Sequence, residues 1–244
     1  MRIFADTADL GEIEEVLKRG FVRGVTTNPS LIAKQQGGDF EGHVKKIVSL
    51  INTYQPDVDL SVEVFSRDLK EILVQATRFK KIFECQNLSI KVQIGWDELE
   101  AIRLLRRNEI PVNCTCCMTV TQAVMAAAAG ARYVSLFVGR IRDGGEQELF
   151  LKERIKLQQR GALTSDDYDP FKVIISTRKL LDREYPGVEI IAGSMRTVAD
   201  IKSSALSGAH IITIPPKFFA DMVGHFKTDE VINQFFADFK NWIK

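Results

Sequence analysis

The 244-residue sequence predicts an α/β chain folded as a (β/α)8 TIM barrel that carries an extra C-terminal helix. Three observations lead there. Short apolar runs alternate with amphipathic helical stretches along the whole length, eight of each. No Pro- or Ser-rich linker interrupts them, so residues 1–244 read as one domain, of a length α/β barrels commonly reach. The first apolar run continues into "ADTADLGE", without the glycine-rich loop that a doubly wound dinucleotide-binding sheet is expected to carry there. The doubly wound sheet is therefore the second choice.

Taken in order, "RIFAD" (2–6) is the first strand. "DLGEIEEVLKRG" (9–20) is a helix with Asp9 as N-cap and Gly20 as its stop. "VRGVTT" (22–27) is the second strand, and "NPSLIAKQ" turns into helix with Pro29 in a favourable first-turn position. Residues 39–53 are helical. "DLSVEVF" (59–65) is the third strand, followed by a helix over 66–83. "LSIKV" (88–92) is the fourth, a run of Leu, Ile and Val between two helices that reads as a buried parallel strand. A helix over 97–108 precedes "PVNCT" (111–115), and the helix over 119–130 ends at Gly130. "ARYVSLFV" (131–138), "VEIIAGS" (188–194) and "AHIITI" (209–214) complete the strands. The interruption over 139–172, with Gly144-Gly145 and a helix-forming piece, has the length of a functional lid. "PPKFFADMVG" opens the last barrel helix. Residues 228–244 form the extra one, whose Val231, Ile232, Phe235, Phe236, Phe239 and Trp242 make one broad apolar face.

Composition narrows the partners. Hydrophobic residues make up 45% and charged residues 27%, ordinary for a globular chain, and the net charge of +1 gives no reason to expect nucleic acid. No segment has the length of a transmembrane helix, and the first ten residues carry an Asp where a signal peptide needs its apolar centre. A cytoplasmic protein is expected. Cys85, Cys114, Cys116 and Cys117 fit free thiols better than disulfides. Cys116 and Cys117 point to opposite faces of a strand and no His lies near them, so no metal site is expected.

In a barrel the chemistry sits at the C-terminal ends of the strands. Those ends offer Asp6; Thr26, Thr27 and Asn28; Glu63; Lys91; Asn113 and Thr115; Ser135, Phe137 and Arg140; Ser194 and Arg196. Lys91 is out of place in an apolar strand. Desolvation lowers the pKa of a buried lysine and frees its amine to attack carbonyls, unless the side chain snorkels to water. Each of the others has a bland reading. Asp6 could cap a turn, Asn28 before Pro29 could be a turn residue, and Glu63 could pair with Lys91 as a structural ion pair. Thr115 could fill a strand, and Arg140 and Arg196 could be solvated. Jointly, the bland readings require every strand end to be polar by accident.

"FADTADLGEIE", "GVTTNPSLIAK", "LSIKV", "NCT", "SLFVGRI" and "AGSMRT" together resemble the transaldolase family in its short single-barrel branch, over nearly the whole chain. The resemblance implies a class I Schiff-base enzyme without cofactor or metal, acting on sugar phosphates. It moves a dihydroxyacetone unit from fructose 6-phosphate or sedoheptulose 7-phosphate to an aldose phosphate. It implies Lys91 as the amine that attacks the C2 ketone, Asp6 as acid/base at the C4 hydroxyl, and Glu63 with Thr115 as the pair that orients a water. Asn28 and Asn113 would bond donor hydroxyls, Thr26, Ser135 and Phe137 would line the site, and Arg140, Ser194 and Arg196 would hold phosphate. That last role suits the two-pronged donor fork of arginine. It also implies a homo-oligomer, pentameric or decameric, in which the C-terminal helix crosses to a neighbour. Packing of that helix on its own barrel is the alternative.

The related fructose 6-phosphate aldolases resemble Gln at position 63 and Tyr at position 137, so Glu63 and Phe137 favour transfer over simple cleavage. Aldolase activity releasing free dihydroxyacetone, or sugar-phosphate binding without catalysis, are the competing readings. The chain departs from many members in lacking Pro-Thr or Ala-Thr after the lysine, and in its cysteine-rich "NCTCCMTVTQ".

Overall fold

The computed structural model describes residues 1–35 and 37–243. Eight parallel strands close in sequence order, each paired with the next and the last with the first. The first half runs β1 (Arg2–Asp6), α1 (Leu10–Arg19), β2 (Gly24–Thr26), α2 (Pro29–Ile32), α3 (Phe40–Tyr54), β3 (Asp59–Glu63), α4 (Leu69–Ile82), β4 (Leu88–Gln93) and α5 (Glu98–Arg107). The second half runs β5 (Val112–Cys117), α6 (Val120–Ala129), β6 (Tyr133–Phe137), α7 (Val138–Glu146), α8 (Leu151–Gln159), α9 (Pro170–Glu184), β7 (Glu189–Gly193), α10 (Val198–Leu206), β8 (Ile211–Ile214), α11 (Phe219–Val223) and α12 (Phe226–Trp242). The predicted barrel is the observed one. No helix among the described residues is long and apolar enough to cross a membrane.

Local chemistry sets the ends of these elements. Asp9 caps α1 by accepting from the Glu12 backbone N–H at 2.9 Å, and Gly20 ends it in the left-handed region at φ 75°. Two helices lie outside the sequence reading, α9 and α10, although both carry start signals. Asp169 precedes Pro170 and accepts from Phe171 and Lys172, and Thr197 with Asp200 makes a capping box. The interruption over 139–172 is a series of short helices, α7 and α8 with 3-10 turns at Glu148–Phe150 and Ser165–Tyr168, leading into the first turn of α9.

The core has two layers. Ile13, Leu17, Ile47, Ile51, Ile72 and Ile102 fill the space between strands and helices. Inside the barrel, Phe4, Tyr133, Ile191 and Ile211 form a separate buried plug. Gly24 makes room for it, since a Cβ there would stand 2.5 Å from the Phe4 ring. At the strand starts, Arg2 pairs with Asp59 at 3.1 Å and with Glu189, and the Tyr133 hydroxyl donates to Asp59. Burial and the Asp59 charge push that phenol up to about 12. The apolar plug and the ion pairs fill the lower end of the barrel interior.

Helix α12 buries none of its residues. Phe226, Phe235, Phe236, Phe239 and Trp242 are between 57% and 79% exposed. The alternative in which its apolar face packs on its own barrel is therefore not what the structure shows.

Candidate active site

A cavity of about 410 Å³ opens at the C-terminal ends of the strands. It is lined by ten of the twelve residues to which the family resemblance gives a role: Asp6, Thr26, Asn28, Glu63, Lys91, Asn113, Ser135, Phe137, Arg140 and Ser194.

Lys91 sits on β4 with Glu63 beside it on β3 and Asn113 on β5, each directly paired in register. Its side chain is buried. The ammonium donates to the Thr27 carbonyl at 2.7 Å and lies 3.1 Å from Glu63 Oε2, so the snorkelling alternative is excluded. Buried charges need partners, and Lys91 has both a carbonyl and a carboxylate. The ion-pair reading of Glu63 describes its contact, although the contact lies in the cavity and not in a sealed core.

Asp6 ends β1 and faces the same space. Thr26 Oγ1 donates to it at 2.9 Å, so it is not a turn cap; Asp9 has that role. Burial raises the Asp6 carboxyl above the usual carboxylate range, against the opposing Lys91 charge and the Thr26 hydrogen bond. Asn28 caps α2 by accepting from the Leu31 N–H at 3.0 Å. It is thus a turn residue that also lines the cavity. Ser135 donates to Asn113 Oδ1 at 2.7 Å, and Asn113 Nδ2 donates to Ser61, which fixes the amide at the cavity floor.

Two candidates do not line the cavity. Thr115 is fully buried, and its hydroxyl has no hydrogen-bond partner among the described residues. The simple alternation expected for β5 fails here. The register against β6 shifts between Cys114 and Cys117, and Cys116 adopts φ 63°. The bulge brings Cys116 into the cavity and places the Cys114 and Cys117 sulfurs 3.9 Å apart in the core. Cys116 is therefore a site residue that the sequence reading missed. All four cysteines are free. The second exception is Arg196, whose guanidinium is engaged by Asp143, with Nη1 2.6 Å from Oδ1. Arg140 lines the cavity near that pair, its Nη1 3.8 Å from Asp143 Oδ2. Thr213, Ile191, Gly193, Pro29 and Ser30 complete the lining without having been singled out from sequence.

The family model described as Transaldolase/Fructose-6-phosphate aldolase matches residues 3–243. The chain belongs to the transaldolase/fructose-6-phosphate aldolase family. Relatives each called "Probable transaldolase" agree with that. One from Carboxydothermus hydrogenoformans is 36% identical over 240 residues, covering 98% of both chains. One from Dehalococcoides mccartyi is 35% identical over 241 residues, covering 99% of both. One from Streptococcus equi is 33% identical over the full length of both. Among solved structures, thiamine phosphate pyrophosphorylase from Pyrococcus furiosus shares 11% identity at a TM-score of 0.53, covering 88% of this chain and 85% of that one. That likeness concerns the barrel alone. For a member of the transaldolase/fructose-6-phosphate aldolase family, the cavity residues are the place to look for its chemistry.

Proposed function

We propose that the protein is a transaldolase that takes a dihydroxyacetone unit from fructose 6-phosphate or sedoheptulose 7-phosphate and delivers it to an aldose phosphate through a Schiff base on Lys91. The observation that carries the reading is a buried amine at the floor of a polar cavity, with a carboxylate 3.1 Å away and a second carboxyl of raised pKa facing the same space.

The Lys91 amine adds to the C2 ketone, and loss of water leaves a protonated imine. Asp6 takes the C4 hydroxyl proton. The C3–C4 bond breaks, the aldehyde fragment leaves, and the electron pair of that bond moves onto C3 and into the imine as an enamine. A carboxyl raised above its usual range is a stronger base for this step. The enamine carbon then attacks the acceptor aldehyde, and Asp6 returns the proton to the new hydroxyl. Water hydrolyses the second imine, with Glu63 orienting it and exchanging the proton of Lys91; Thr115, buried behind the cavity wall, shares that role through a water that reaches its hydroxyl, unpartnered among the described residues. Asn28 and Asn113 bond donor hydroxyls, and Thr26, Ser135 and Phe137 shape the cavity. Arg140 and Ser194 face the phosphate, with Arg196 behind them.

Phe137 favours transfer over cleavage, because a phenyl ring cannot protonate the enamine where a phenol could. A cytoplasmic homo-oligomer, pentameric or decameric, belongs to the same reading; of this, the exposed apolar face of α12 supports the contact between copies, with that helix covering a neighbouring chain. Sodium borohydride added with fructose 6-phosphate tests the function. A three-carbon adduct on Lys91, with transfer to an aldose phosphate and little free dihydroxyacetone, is expected; an active Lys91→Ala enzyme overturns the mechanism.

A further inference from the structure

We infer that Asp143 is the positioning residue of the phosphate-binding end of the cavity, holding Arg196 and Arg140 as a two-cation frame for a phosphate monoester. That the ligand is a phosphate, and a sugar phosphate, rests on the transaldolase reading; the arrangement of Asp143, Arg196 and Arg140 does not.

Arg140 and Asp143 stand one turn apart on α7, so they share a helix face. Asp143 is almost fully buried, and both of its oxygens engage the Arg196 guanidinium, Oδ1 at 2.6 Å from Nη1 and Oδ2 from Nη2. Oδ2 also lies 3.8 Å from Arg140 Nη1. One carboxylate thus touches two guanidinium groups that would otherwise repel each other. The Arg196 hydrogen bond holds the Asp143 carboxyl below its usual range, so it stays ionised at neutral pH.

The backbone on either side is fixed as well. Gly139 N–H donates to the Ser194 carbonyl at 3.1 Å, which docks the first turn of α7 on the loop after β7. A Cβ at 139 would stand 2.7 Å from both Ser194 O and Arg196 Nε, so no side chain fits between them. Asp200 holds the other end of Arg196. It accepts from the Arg196 backbone N–H at 3.2 Å and the Thr197 N–H at 3.1 Å while binding Arg142 at 2.6 Å. Arg196 is therefore held at its backbone by one buried acid and at its head by another. Of these groups Arg140 and Ser194 are the ones that line the cavity, so the Arg140 guanidinium, steadied by Asp143, is the donor fork a phosphate oxygen would meet there.

The competing reading is that Asp143 merely joins α7 to the loop after β7. Asp143→Asn separates the two. Three quantities are measured on the full chain and the variant: phosphate affinity from melting shifts in inorganic phosphate, KM and kcat for fructose 6-phosphate, and the rate of borohydride trapping with unphosphorylated dihydroxyacetone. The expected result is a phosphate Kd and a KM each raised about tenfold, roughly one decade of affinity. kcat and the dihydroxyacetone trapping rate are expected to change far less. Asp143→Glu, which keeps the charge, is expected to recover part of the phosphate affinity. An unchanged phosphate Kd in Asp143→Asn, a tighter one, or an equal fall in dihydroxyacetone trapping overturns the proposal. So does a native protein whose melting does not respond to phosphate. A native protein that ignores fructose 6-phosphate overturns the transaldolase reading instead, and the phosphate titration still decides the role of Asp143.

Discussion

The Lys91 ammonium lies 3.1 Å from Glu63 Oε2 across the rung that pairs their strands directly, and 2.7 Å from the Thr27 carbonyl. Attack on a ketone needs an unprotonated amine, so a proton on this nitrogen must have somewhere to go. Glu63 is the nearest carboxylate. Lys91→Ala is expected to lose both the borohydride-trapped adduct and turnover, with the fold kept by circular dichroism. Glu63→Gln is expected to keep the amine but form the imine about 10²-fold more slowly, the usual scale for a positioned proton-transfer group. Single-turnover trapping measures both; a normal rate in Glu63→Gln assigns the carboxylate to structure alone.

Asp6 gives the pH dependence. Burial raises its folded-state pKa above the unfolded value of about 3.9. A carboxyl shifted this way binds its proton more tightly when folded, so its ionisation costs stability once the pH passes the folded pKa. Asp6→Asn is thus expected to melt higher than the native protein at neutral pH, with the gain disappearing as the pH falls below about 4. Each kcal/mol gained corresponds to about 2–4 °C in a chain of this size. Turnover is expected to fall by about 10²–10⁴. A variant that melts lower at pH 7 contradicts the cause assigned to the shift; one that cleaves the donor normally contradicts the acid/base role.

Thr115 distinguishes a strand filler from a site residue. Thr115→Val keeps the shape and removes a buried hydroxyl that has no partner among the described residues. Stability is expected to hold or rise, since an unpaired buried hydroxyl costs about 1–3 kcal/mol. Imine formation and hydrolysis are expected to slow by at least about tenfold if the hydroxyl orients water. Unchanged kinetics with raised stability would place Thr115 with the β-branched fillers.

The barrel was legible because each strand carried its own apolar run and each of the first seven strand ends its own polar residue. Placing Asp6, Lys91 and Ser135 in one cavity required only strand periodicity and the rule that barrel chemistry gathers at one end. What escaped was irregular or long-range. Period-two reasoning puts Thr115 in the cavity and Cys116 out of it. The β5 bulge reverses that for Cys116, at a non-glycine residue with positive φ and so without the glycine that usually marks such a site. The turn of Arg196 toward Asp143 depends on a helix 53 positions earlier in the chain. The i,i+3 spacing of Arg140 and Asp143 was a usable signal for half of that contact. Helix α10 had its capping box in plain sequence at Thr197 and Asp200.

Phe137 bears on transfer against cleavage. Its ring lines the cavity, and a tyrosine there would add a proton donor beside the enamine. Phe137→Tyr is expected to raise release of free dihydroxyacetone in the absence of acceptor, and to lower the ratio of transfer to release by about tenfold, a ΔΔG‡ of about 1.4 kcal/mol. Product analysis with and without an aldose phosphate reads both. An unchanged ratio removes the argument from this position.

Helix α12 bears on assembly. Five of its aromatic side chains, Phe226, Phe235, Phe236, Phe239 and Trp242, stand more than half exposed. Phe235, Phe236, Phe239 and Trp242 share one face, and fully burying a side chain of that size stabilises by about 1.5–3 kcal/mol, so that face holds on the order of 10 kcal/mol of unused apolar burial, before the cost of association is subtracted. Light scattering is expected to give a mass of at least two chains. Phe235→Glu with Phe239→Glu, one turn apart on the same face, is expected to reduce it to a single chain. The barrel core does not include either residue, so the double variant should keep its circular dichroism spectrum and its borohydride adduct at Lys91. A native protein that runs as one chain, or a double variant that stays assembled, rules out α12 as the contact between copies.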